Sequence, residues 1–126
     1  MKNMLKRSLA AVMAVASLAV GMVGMSANAT TETDNYSAFT YNRSGSTASC
    51  SLKNSTSGPK YAQVSMTIYC VDGSVKFPGN HNSALANQQS VGRSYTASAT
   101  GVEFYGDLYL TQQPMGDPLS HWYRTA

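Results

Sequence analysis

Alternation of apolar and polar residues with a period of two dominates the chain after residue 30. It is clearest over 61–71. There Ala62, Val64, Met66, Ile68 and Cys70 fall on one side, and Tyr61, Gln63, Ser65, Thr67 and Tyr69 on the other. That pattern marks a half-buried strand. Around Cys50 the apolar Ala48, Cys50 and Leu52 alternate with Thr47, Ser49, Ser51 and Lys53. Aromatic and β-tolerant residues predict another strand over 36–42. Asp72-Gly73 is a turn signal that hands on to a short strand at 75–77. Segment 78–90 is polar, rich in Asn and Gln, and reads as a loop with at most a helical turn at 83–88.

The last third predicts a hairpin, 91–99 against 102–111, turning at Thr100-Gly101. In that register Ala97 faces Phe104, Tyr95 faces Gly106 and Arg93 faces Leu108, so each inward candidate lies opposite another. Tyr95 would then cover the strand glycine. Pro114-Met115-Gly116-Asp117-Pro118 is a turn, and 119–125, with Trp122 and Tyr123, predicts a final strand. No stretch after residue 30 keeps helical spacing for long. Six to seven short strands separated by turn signals predict an all-β fold, a small antiparallel β-sandwich of immunoglobulin-like kind. A small closed barrel is the alternative.

The first 29 residues follow a different pattern. A basic start (Lys2, Lys6, Arg7) precedes an uncharged apolar run over 9–25, and Ala27-Asn28-Ala29 supplies the small residues a signal peptidase needs. A signal-peptide helix cleaved after Ala29 is therefore expected to precede the sandwich. It would be followed by a polar tail at 30–35 and a single domain at 36–126. Secretion to the extracellular space follows, with no membrane anchor after cleavage: no cysteine stands at the junction and no apolar tail or basic cluster closes the C-terminus.

Cleavage also changes the charge. The whole chain carries nine basic and six acidic residues, a net +3, but three of the basic residues lie in the leader and all six acids lie beyond it. The remaining chain is formally neutral. Nucleic-acid binding, which needs a basic patch to release counterions, is excluded as an expectation.

Cys50 and Cys70 are the only cysteines, and an exported pair predicts a disulfide. A hairpin between the strands that carry them would leave the two about 20 Å apart, too far to bond. The bond therefore predicts that the two strands belong to different sheets. Two thiols and two scattered histidines, His81 and His121, offer no metal-site spacing, and no cofactor is expected. Leu, Ile, Val and Phe total only 14 residues after position 29, so tyrosine is expected to fill much of a thin core that the disulfide supplements.

Candidate chemistry is sparse. No strand–Gly-x-Ser-x-Gly–helix context exists for a hydrolase. Glu103 and Asp107, four apart on one strand face, stand about 13 Å apart, which suits neither glycosidase arrangement. The chain is expected not to be an enzyme. Tyr105 and Tyr109, interleaved with Glu103 and Asp107, instead form a candidate ligand-binding surface, and Tyr61 and Tyr69 repeat the arrangement around Gln63, Ser65 and Thr67. Rigid aromatic surface beside hydrogen-bonding groups can stack on sugar rings or contact a protein, although tyrosine is also favoured in strands for packing alone. The loop at 78–90 is a second candidate contact. The expected function is a small secreted, non-enzymatic binding module for an extracellular glycan or protein. The alternative is a secreted antimicrobial or toxin-like effector, and a small hydrolase ranks last.

Overall fold

A computed structural model describes residues 29–126; the expected signal-peptide helix lies outside the described residues. The described chain is all-β, with two antiparallel sheets and no helix. Nine strands follow in order: β1 (Thr30–Thr33), β2 (Ser37–Ser44), β3 (Thr47–Asn54), β4 (Lys60–Cys70), β5 (Val75–Lys76), β6 (Gly79–Leu85), β7 (Ser90–Thr96), β8 (Ala99–Tyr109) and β9 (Ser120–Thr125). The first sheet has the order β1-β2-β3-β7. The second runs β5-β4-β8-β9, with β6 also paired to β4.

Local chemistry makes the tight connections. Gly45, at φ 58°, turns β2 into β3 through a two-residue loop that leaves Ser44 opposite Thr47. A β-carbon is disfavoured in that backbone region and glycine is not. At Asp72-Gly73 the Asp72 carboxylate accepts the Ser74 N–H at 2.9 Å, while Gly73 N–H bonds the Cys70 carbonyl at 3.0 Å. The crossing from β3 to β4 is organised by buried Asn54. Its amide donates to the carbonyls of Gly58 (3.1 Å) and Leu85 (2.8 Å), and its Oδ1 accepts from Thr56 N–H at 2.8 Å. Satisfying both ends of the side chain makes a buried amide tolerable.

Strands β5 and β6 are one edge strand interrupted by a proline. Val75 pairs with Tyr69 and Gly79 with Ser65 in a single unbroken register, and the Met66 N–H bonds the Pro78 carbonyl at 2.9 Å. Proline is tolerated there because an edge strand can spare a donor. The segment that composition marks as a loop is thus mostly an exposed edge strand. Its Asn-rich sequence has no alternation to show, since six of the seven β6 residues are exposed. Likewise 30–33, read as tail, is the opposite edge, β1, pairing along its length with β2.

The predicted hairpin between 91–99 and 102–111 does not form. β7 pairs with β3 in the first sheet and β8 with β4 in the second, and the chain passes between the sheets at Ala97 and Ser98. Thr100-Gly101 lies inside β8. Face parity survives this change because a strand in the facing sheet presents the same residues to the core as a strand alongside would. The chain crosses between sheets next to itself, β3 to β4 and β7 to β8, so neighbours in one sheet continue as neighbours in the other.

The disulfide is also absent. As expected the cysteines lie in different sheets, but both are free. Cys50 Sγ lies against the Ser65 carbonyl at 4.0 Å, and Cys70 is five positions further along β4, about 16 Å at strand rise. Full burial pushes the Cys50 thiol up to about 12.

Between the sheets lies one apolar cluster, in which Phe39, Leu52 and Cys50 of the first sheet meet Val64, Met66, Ile68, Val102, Phe104, Leu108 and Trp122 of the second. Tyrosine contributes less than expected: only Tyr41 and Tyr95 pack against the cluster. Phe39 is its centre. It is fully buried, and its ring stacks on Trp122 (6.0 Å) and Tyr41 (5.8 Å). It lies directly over Gly106, where an added Cβ would stand 2.6 Å from Phe39 Cε1. Gly106 does receive an aromatic cover, from Phe39 across the core and not from Tyr95 beside it.

One side of the molecule is closed by side chains from β9. Trp122 Nε1 donates to Ser37 Oγ at 2.9 Å, Ser120 Oγ to Asp34 Oδ1 at 3.0 Å, and Arg124 makes two bonds to Glu32, of 2.5 and 2.8 Å. Arg124 also lies 5.4 Å over the Trp122 ring. Its guanidinium holds the Glu32 carboxyl below its ordinary value of 4.5, against a smaller opposing effect of burial.

Two outcomes test this packing. Gly106→Ala should cost about 1–3 kcal/mol in urea unfolding, because the methyl group needs the space of the Phe39 ring. Gly101→Ala, whose nearest neighbour would be Tyr69 Cδ2 at 4.0 Å, should be neutral or slightly stabilising; equal losses would contradict the contact. For Glu32 the folded pKa is depressed, so the pair's contribution is complete above the unfolded value and is lost as pH falls through the folded one. The pair is one-third exposed, so the loss should be no more than ~1 kcal/mol. Arg124→Met should abolish that acid-side dependence in unfolding curves measured from pH 6 to pH 3.

Candidate functional site: the outer tyrosine face of the second sheet

Once Val102, Phe104, Gly106 and Leu108 point inward, the period of two sends Glu103, Tyr105, Asp107 and Tyr109 to the opposite face of β8. All four candidate residues are therefore on the outer face, none of them buried. The register then supplies neighbours. Tyr61 pairs with Tyr109, Gln63 with Asp107, Ser65 with Tyr105 and Thr67 with Glu103 across β4–β8. The two tyrosine-bearing strands, separated in sequence by residues 71–98, are adjacent, and their stripes fuse.

Two further strands extend the face beyond what the sequence indicated. β9 places Tyr123 beside Tyr105 and His121 beside Asp107, while β6 places His81 beside Gln63. The signal for β9 was present: if Trp122 is in the core, alternation puts His121 and Tyr123 outside. For β6 there was none, because an edge strand exposed on both faces has no period. Both histidines are exposed, and both join the face.

The rings touch one another. Tyr105 and Tyr123 lie 5.1 Å apart, Tyr61 and Tyr109 meet edge to face at 5.8 Å, and His81 stacks on Tyr61 at 5.7 Å. Each such pair contributes about 0.5–1.5 kcal/mol beyond area burial. Two carboxylates punctuate the field. Asp107 accepts from Gln63 Nε2 at 3.3 Å and lies 2.5 Å from His121 Nδ1. Glu103 accepts phenolic hydrogens from Tyr69 at 2.6 Å and from Tyr123.

These bonds shift both partners. Tyr123, then Tyr69, hold the Glu103 carboxyl below 4.5. Glu103 in turn pushes the Tyr123 phenol up to about 12 and raises Tyr69. Tyr109 is raised as well, first by partial burial and then by the charge of Asp107. The Tyr69 and Tyr123 phenols thus stay neutral donors and Glu103 an anion through neutral and mildly alkaline pH. Among the described residues no group of three or more His, Cys, Asp or Glu is arranged to hold a metal ion.

In comparison with known proteins, the chain matches no family model, no curated protein and no solved structure.

Tyrosine ionisation reports directly on the network. In an alkaline titration followed by ultraviolet absorbance, a phenol should titrate near pH 12, and Glu103→Gln should return it toward the ordinary 10.0. A titration curve unchanged by the substitution would show that the Tyr123–Glu103 bond does not exist in solution.

Proposed function

We propose that the protein is a small secreted, non-enzymatic binding module, an immunoglobulin-like β-sandwich exported by its leader, that holds an extracellular polysaccharide on this face. One observation carries the reading: five tyrosines (61, 69, 105, 109 and 123) stand on the same open side of one sheet, with carboxylates and hydrogen-bonding side chains between them.

A sugar ring offers C–H groups on its faces and hydroxyls around its rim. Tyrosine rings suit the first by stacking, and Glu103, Asp107, Gln63 and the phenols suit the second by hydrogen bonding. The rings are prepacked in pairs, so binding has little side-chain entropy left to lose. The face is the exposed side of a sheet, a surface suited to an extended polymer more than to a small enclosed ligand. Formal neutrality of the chain after the leader keeps nonspecific attraction to acidic walls and membranes low.

The test is retention of the purified protein on insoluble polysaccharides and cell walls, beside the Tyr105→Ala/Tyr109→Ala double variant. The parent should be retained and the variant should bind at least ~10-fold more weakly, about 1.4 kcal/mol, while its thermal unfolding remains cooperative. Absence of retention on every glycan would remove this reading and leave a protein ligand to be sought.

A further inference from the structure

The charges on the tyrosine face are one-sided. The residues that the register sends outward on β4, β5, β6, β8 and β9 include Glu103 and Asp107 but no Lys or Arg. The basic side chains are elsewhere. Arg43, Lys53 and Arg93 belong to the first sheet, Arg124 is bound to Glu32, Lys60 Nζ donates to the Ser57 carbonyl, and Lys76 is level with inward-facing Ile68.

The two carboxylates also differ. Asp107 already has His121 against one oxygen. Glu103 is held only by neutral phenols, from Tyr69 on one strand and Tyr123 on another, with Tyr105 beside them. It stands near the middle of β8, which has a paired strand on each side. Its negative charge is stabilised but not neutralised, and it is surrounded by electron-rich rings. A carboxylate framed by phenolic hydroxyls attracts an organic ammonium by charge and by the hydrogen-bond acceptors around it.

Resting on the glycan reading above, we propose that the face selects polysaccharides that bear free amino groups, with one sugar ammonium seated at Glu103 among Tyr69, Tyr105 and Tyr123. The tyrosines then supply stacking that any extended glycan can use, and Glu103 supplies the choice between an ammonium and an acylated or hydroxyl-bearing position. An acetylated amine in the same place would leave the anion without its counter-charge and set an amide against it.

The experiment compares retention of the purified protein on an N-acetylated amino-sugar polymer, the same polymer after deacetylation, a neutral β-glucan and polylysine beads. It is run at mildly acidic pH, where sugar amines are protonated and Glu103, held below 4.5, stays ionised. The parent should favour the deacetylated polymer over its acetylated form by about tenfold. In Glu103→Gln, checked for cooperative unfolding, the ratio between the two polymers should fall to near one. Equal retention on both polymers by the parent, or a preference that survives Glu103→Gln, would overturn the amine proposal while leaving the glycan reading in place. Retention on polylysine equal to that on the deacetylated polymer would overturn it too, by showing that charge alone suffices. No retention on any of the polysaccharides would remove both.

Discussion

Everything else in the molecule depends on Phe39 lying flat against a strand that has no side chain at the point of contact. Leu, Ile, Val and Phe are few after residue 29, so the two sheets cannot be held by a thick layer of aliphatic groups. One buried ring, stacked on Trp122 and Tyr41 and seated on Gly106, lets the sheets approach closely at their centre. Burying that ring is worth about 1.5–3 kcal/mol, and close packing around it makes the surrounding small residues sufficient. The same contact fixes β8, because Gly106 must face inward and its neighbours must therefore face out.

The site is a consequence of that parity. Glu103, Tyr105, Asp107 and Tyr109 are outside because 102, 104, 106 and 108 are inside, and β4 obeys the same rule from its own core residues. Bringing β4 beside β8 turns two sparse stripes into a continuous aromatic field. β9 completes it, held at its core side by Trp122 and by the bonds of Ser120 to the β1–β2 connection and of Arg124 to β1. Stability and the candidate binding surface are thus built from opposite faces of the same three strands.

Much of this was legible in the residues and some was not. β3 and β4 were visible from alternation, β2 from its aromatic and β-tolerant residues, β9 as a final strand carrying Trp122 and Tyr123, and the Asp72-Gly73 turn from its chemistry. The candidate pair Tyr105 and Tyr109 and its carboxylates were placed on the correct face. The hairpin between 91–99 and 102–111 was misplaced because inward and outward parity are satisfied equally by strands side by side and by strands face to face. The supposed cover of Gly106 failed with it, the ring coming from Phe39. Cys50 and Cys70 showed the same ambiguity: their strands do belong to different sheets, but the relative slide of the sheets sets Cys50 against Ser65. Strands β1 and β6 were missed because edge strands with two polar faces carry no period.

By itself the sequence determined which side chains face the core and which face outward in each central strand, since that depends only on a chain property, the two-residue pleat. It also determined where the chain turns at Asp72-Gly73, because turn geometry is local. Only the tertiary structure decided which strands are neighbours, and with that the assembly of Tyr61, Tyr69, Tyr105, Tyr109 and Tyr123 on one surface and the separation of the two thiols. Those outcomes rest on register and on the slide of one sheet over the other. Both are set by contacts between residues far apart in the chain, above all the fit of Phe39 to Gly106, and no local pattern encodes them.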